Sequence, residues 1–175
     1  MADSDGDEEQ RARDAEFADD LTPAPSDEFA EGCALVSGGS GGLGEECCLM
    51  LADRGVNIAL SFNRSADKAA AVKQKCETRG VMVTVTQVTL EEEADVAAWV
   101  KTTADTFGRI HSVIYASSPA FALKPMADLL PRKFRQFVDQ DAGGFFNLAF
   151  AAVPYLKETR GSITAIGTTA SNRVM

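Results

Sequence analysis

Residues 37–44 read Ser37-Gly-Gly-Ser-Gly-Gly-Leu-Gly44 and follow directly on the apolar stretch Cys33-Ala-Leu-Val36. The pattern is glycine 38, three residues, glycine 42, one residue, glycine 44. Each of these positions has a distinct physical use. Gly38 lets the chain leave a strand in a conformation that a Cβ opposes. Gly42 lets backbone amides come close to a phosphate, and Gly44 lets the next helix pack tightly on the strand. Ser40, Gly41 and Leu43 complete the turn, and their amides open the helix. Helix N-termini carry unpaired N–H groups and a partial positive charge, which suits an anion. The dipole supplies only about 0.3–2 kcal/mol, so direct hydrogen bonds must carry most of the affinity. No Gly-Lys-Ser/Thr closes the turn, which argues against a Walker-type phosphate loop.

Outward from this turn, strand-like and helix-like segments alternate. Residues 43–54 have helical periodicity and stop before Gly55. Residues 56–62 read as a second strand, 65–79 as a helix with Ser65 as its N-cap, and 81–87 as a β-branched strand. A helix is expected over 90–107, a strand over 111–116, a mostly helical stretch over 131–158 and a strand over 161–167. Pro131 suits a first helical turn, and the pair Gly143-Gly144 predicts a close approach by some other part of the chain. The alternation predicts an α/β fold: a doubly wound, parallel, Rossmann-like sheet with five strands present. No solenoid repeat is evident.

Charge divides the chain. The whole carries −9, whereas residues 1–31 hold 12 acids and 2 bases, net −10, leaving the rest at +1. Residues 1–30 are predicted to be a disordered acidic arm ahead of a dinucleotide-binding domain over 31–175. The near-neutral domain excludes a basic nucleic-acid footprint as the main function. No apolar run is long enough for a membrane span, and no basic-then-apolar secretory leader opens the chain. Cys33, Cys47, Cys48 and Cys76 form no CxxC pair and lie far in sequence from the single histidine, His111, so no metal site is expected. Four reduced, buried thiols fit a cytoplasmic location. His111 is expected to face solvent or to mark the entry of a strand.

The glycine turn resembles that of the short-chain dehydrogenase/reductase family, whose signature is Thr-Gly-x-x-x-Gly-x-Gly; here Ser37 stands for the threonine. The wider run ALVSGGSGGLG looks like the 3-oxoacyl-acyl-carrier-protein reductase branch, and the resemblance extends over residues 29–175. It implies a nicotinamide dinucleotide across the carboxyl ends of the strands, with Ser37, Gly38, Ser40, Gly41, Gly42, Leu43 and Gly44 at its pyrophosphate. An NAD site usually ends its second strand with an acid for the ribose hydroxyls. Here the run is Leu60-Ser-Phe-Asn-Arg-Ser65, and no acid occurs before Asp67. Arg64 is available for a 2′-phosphate, so NADP is expected, unless Arg64 is merely a solvated residue opening a helix. The resemblance adds Asn63 and Ser65 to the same phosphate.

Other family positions are altered. Gln87, followed by Val88, stands where the family has an Asp near the adenine. Tyr115-Ala-Ser-Ser118 replaces Asn-Asn-Ala-Gly, with Ala116 and Ser117 still expected beside the cofactor. The Asn that supports a proton-relay water aligns with Asp141, and the catalytic Ser with Thr168. The family's Tyr-x-x-x-Lys pair is missing: Tyr115 is followed four residues on by Pro119, and Tyr155 by Thr159. The sequence reaches Met175 before the helix that carries that pair, so the 175-residue chain is expected to be truncated and inactive or very weak.

Two functions follow. The first is an NADP-dependent reductase of a small-molecule carbonyl or acyl substrate, 3-oxoacyl-type by resemblance, with possible homo-oligomers by family analogy. The second is a non-catalytic dinucleotide-binding module or an inactive fragment. Loop 117–130 is apolar enough to line a pocket or simply to pack.

Overall fold

The computed structural model describes residues 29, 31–118 and 128–167. The acidic stretch 1–28, loop residues 119–127 and Thr168 lie outside the described residues.

Five strands form one parallel sheet: β1 Cys33–Ser37, β2 Asn57–Phe62, β3 Val83–Gln87, β4 Ile110–Tyr115 and β5 Ser162–Ala165, in the order β3-β2-β1-β4-β5. The helices are α1 Gly42–Asp53, α2 Ala66–Glu77, α3 Glu93–Phe107, α4 Pro131–Val138 and α5 Gly144–Thr159. A π-helical turn, Asp139–Gly143, joins the last two.

Strand side chains alternate between faces, and each face is sealed by helices. Ala34 and Val36 of β1 pack with Cys48, Leu51, Ala69 and Val72 from α1 and α2. Cys33 and Leu35, pointing the other way, pack with Val96, Trp99 and Val100 of α3 and Leu148, Ala152 and Leu156 of α5. β1 is buried along its whole length, as a central strand between two helical layers must be. Burying each large aliphatic side chain of this kind stabilises the fold by about 1.5–3 kcal/mol before entropy is counted.

The elements expected from the sequence are present, with shifted ends. Gly55 and Gly80 follow their helices at φ +75° and +87°, conformations that a side chain resists. Ser65 occupies the N-cap position of α2 but makes no side-chain capping bond. The helix expected from residue 90 begins at Glu93, because Val88 still donates its amide to Phe62 O and Leu90 is drawn into the core. His111 enters β4 but is not solvent-facing: it is buried, with Nδ1 2.9 Å from Ser112 Oγ and the Phe29 ring against it. The thiols of Cys33, Cys48 and Cys76 are buried and all four cysteines are free. The close approach expected at Gly143-Gly144 falls on Gly144, where a Cβ would sit 3.0 Å from Leu90 Cβ and 3.2 Å from the Tyr115 hydroxyl.

Candidate functional site

The strand order reverses at β1. Its neighbours β2 and β4 send their following segments to opposite faces, which leaves a crevice beyond the carboxyl ends of the strands. A cavity of about 650 Å³ occupies that crevice.

The glycine turn forms one wall. Gly38 adopts φ +69°, and a Cβ there would come within 2.9 Å of Ala116 O and Ser117 Cα. The segment after β4 is thereby drawn against the turn, and Ala116 and Ser117 line the cavity with Gly38, Ser40 and Gly41. A Cβ on Gly44 would overlap the carbonyl oxygen of Gly38. These two glycines are required by the chain itself. Gly42 is different: a Cβ there would meet nothing within 4 Å. The fold alone gives no steric reason for glycine at that position, whereas a ligand lying on the turn does. No side chain caps α1, whose N-cap is Gly41, so its first amides are open to an anion. The residues present therefore fit a dinucleotide pyrophosphate.

Ser37 is fully buried beneath the turn, and its hydroxyl has no hydrogen-bond partner among the described residues. Its carbonyl accepts the Ala116 amide at 3.1 Å. Leu43 projects outward and is 64% exposed, so its amide and not its side chain faces the turn's function. Gly39 is a position the sequence reading passed over. Its amide donates to Ser61 O at 3.0 Å, and a Cβ would come within 2.7 Å of Leu60 Cβ, so the turn is fastened to β2 as well as to β4.

The end of β2 forms the second wall. Asn63, Arg64 and Ser65 line the cavity together with Phe62. Gln87 does not reach it; its Nε2 donates to Asn63 O at 2.8 Å and holds the β2 and β3 ends together. Val88 is buried and does line the cavity.

The third wall is α4, which the sequence marks only as part of a mostly helical stretch over 131–158. None of its residues is buried. Lys133, Gln136 and Phe137, with Gln140 from the π turn, line the cavity. Their spacing of three, four and seven residues was the available signal for one helical stripe. Asp141 is exposed on the π turn and does not line the cavity, while its backbone carbonyl accepts from the Tyr115 hydroxyl at 3.0 Å. Tyr115 itself lies on the cavity wall, edge-on to Phe145 with ring centroids 5.4 Å apart. Burial, reinforced by the carboxylates of Asp141 and Glu91, pushes its pKa up to about 12, so it remains a neutral donor through the physiological range. Among the described residues no cluster of side chains suits a metal ion. No helix among them is long and apolar enough to cross a membrane.

A parallel α/β sheet with a glycine-rich turn at its switch point defines a Rossmann-like protein. Residues 32–175 match the profile of the short chain dehydrogenase family, and the chain belongs to that family. It is 28% identical over 146 residues to a peroxisomal 2,4-dienoyl-CoA reductase of Saccharomyces cerevisiae, a match covering 82% of this chain and 50% of the relative. It is also 28% identical over 131 residues to the 3-oxoacyl-acyl-carrier-protein reductase FabG of Staphylococcus aureus, covering 74% of this chain and 53% of the relative. The chain thus spans about half the length of these curated relatives. Among solved structures, a short chain dehydrogenase from Burkholderia cenocepacia in complex with NADP superposes with a TM-score of 0.78 at 25% identity, covering 85% of this chain and 60% of that one. A carveol dehydrogenase from Mycobacterium avium in complex with NAD shares the fold, with a TM-score of 0.77 at 15% identity over 83% of this chain and 57% of that one.

Proposed function

We propose that the domain over residues 31–175 binds NADP(H) in the cleft and serves hydride transfer between the nicotinamide and a small carbonyl or acyl substrate. The observation that carries this reading is the Gly38–Gly44 turn opening into the same cavity that Arg64 lines. The amides of Ser40 and of residues 42–44 would hold the pyrophosphate, while that of Gly41 donates to Gly38 O at 2.9 Å and braces the turn. Arg64, with Asn63 and Ser65, would hold the 2′-phosphate; no carboxylate stands at the end of β2 to repel it. Val88, Ala116 and Ser117 would flank the nucleotide, and Gln87 acts at one remove by fixing Asn63. When bound, the cofactor supplies or accepts the hydride.

Thr168, next to β5 in sequence, would donate a hydrogen bond to the substrate oxygen. Asp141, exposed at the π turn, would hold a water. A 3-oxoacyl thioester is the proposed substrate, supported by the similarity to FabG and to a dienoyl-CoA reductase. The proposal also places residues 1–30 as an acidic arm and the protein in the cytoplasm, the latter on the strength of four free thiols. An assembly of like chains is supported by the exposed, stacked rings of Phe146 and Phe150 on α5.

A second reading, a dinucleotide-binding module without turnover, is favoured by one observation: neither tyrosine has a lysine four residues on. Titration of labelled chain with NADPH and NADH decides the binding, read at the amides of residues 38–44. Carbonyl-dependent NADPH oxidation then separates enzyme from module. Unmoved amides in a folded sample would remove both readings.

A further inference from the structure

The π turn between α4 and α5 has a specific geometric consequence. Gly144 N–H reaches back five residues to Asp139 O, so one more residue is wound into this turn than an α-helix holds. α5 is anchored by Leu148, Ala152 and Leu156 in the core. The extra residue therefore rotates everything upstream, namely α4, by about 100°, one residue's share of an α-helical turn. In the present register Lys133, Gln136, Phe137 and Gln140 line the cavity. Phe134 and Val138 face solvent, 56% and 44% exposed. With the turn closed to a regular α-helix, each cavity position would pass to the next residue in sequence: Phe134, Phe137, Val138 and Asp141. One register offers the cleft a cation and two amides. The other offers mostly hydrocarbon and a carboxylate.

Tyr115 is placed to decide between them. Its hydroxyl lies 3.0 Å from Asp141 O and 3.3 Å from Gln140 O, both within the turn. The room for that hydroxyl exists because residue 144 is glycine. We propose that Tyr115 is a positioning residue: by donating to the carbonyls of the π turn it keeps the extra residue wound in, and so turns the Lys133–Gln140 stripe of α4 toward the nucleotide. This rests on the nucleotide reading for its functional half and on the helix register alone for its structural half.

The test moves a charge between registers. Tyr115→Phe keeps the ring and deletes the donor. In the unsubstituted chain Lys133→Ala should weaken NADPH binding about tenfold, the loss of one charge-assisted hydrogen bond, and adding Phe134→Lys should not restore it. In the Tyr115→Phe background Lys133→Ala should change affinity less than about twofold, within the scatter of independent sites, and Phe134→Lys should strengthen binding. Equal losses from Lys133→Ala in both backgrounds overturn the inference. If the unsubstituted chain binds no NADPH, the nucleotide reading fails by itself. The register is then judged from a crystal structure of Tyr115→Phe, where a retained π turn overturns it and a regular helix through 139–144 upholds it. Should that variant not fold, the unsubstituted chain still decides: a slowly exchanging Tyr115 hydroxyl proton with contacts to the Gly144 α-protons upholds the bond, and rapid exchange refutes it.

Discussion

The Cα of Gly44 faces the carbonyl oxygen of Gly38 so closely that a methyl group on residue 44 would overlap it, although five residues lie between the two in sequence. Gly42, between them, points its missing side chain into open space. The two glycines should therefore respond in opposite ways. Gly44→Ala must push α1 off β1 and should cost about 1–3 kcal/mol of stability, as overpacking does. Gly42→Ala, at the first position of a helix, should leave stability within about 0.5 kcal/mol while impairing dinucleotide binding. Urea unfolding and NADPH titration of both variants check this; a normal affinity in Gly42→Ala would mean that nothing docks on the turn.

Arg64 lines the cavity at the end of β2. Arg64→Ala should lose about 10- to 150-fold in affinity for NADPH, the equivalent of a charge-assisted bond of about 1.5–3 kcal/mol. Its affinity for NADH should hardly change. Paired titrations measure the ratio, and an unaltered ratio would assign Arg64 to solvent.

His111 is held below its ordinary value near 6.5 by burial. The unfolded chain therefore binds this proton more readily than the folded one. The sign is fixed by linkage: stability is unaffected above about pH 6.5 and falls as the pH drops from there toward the lower folded-state value. Unfolding in urea at pH 7.5 and 5.5 should show the loss. In His111→Phe that part of the slope should disappear.

Arg160 closes α5 in the left-handed conformation, φ +55°. Glycine enters that region freely, so Arg160→Gly should raise stability by about 0.5–1 kcal/mol. That corresponds to about 1–4 °C in Tm for a chain of this size. A lower Tm would show that the arginine side chain contributes more than its backbone strain costs.

Much of the fold is readable in the sequence because its signals are local. Glycines 55 and 80 end helices, β-branched runs make strands, and a glycine turn between a strand and a helix has few alternative uses. The first two walls of the cleft are legible for the same reason: Gly38, Ser40 and Gly41, and residues 63–65, lie directly after a strand. The third wall is not. Residues 131–158 read as one mostly helical stretch, and although the spacing of Lys133, Gln136, Phe137 and Gln140 marks a stripe, the direction in which it faces depends on one extra residue in a single turn, which periodicity does not reveal. Tyr115 reads from the sequence as the start of the altered Tyr115-Ala-Ser-Ser118 run and as a tyrosine without its lysine, not as a donor to a helical turn. Its actual partners, the carbonyls of Gln140 and Asp141, lie 25 and 26 residues away and are backbone atoms that carry no sequence mark. The strand-entry reading of His111 holds, but its burial is not legible, because one histidine before an apolar strand gives no indication of the Phe29 ring that covers it.

That ring contact has a practical side. Phe29 meets His111 where β4 begins, at the end of the sheet remote from the cleft. Residue 29 itself therefore stands at the floor of the molecule and not at its mouth. A fluorophore carried at that position would leave the doorway clear.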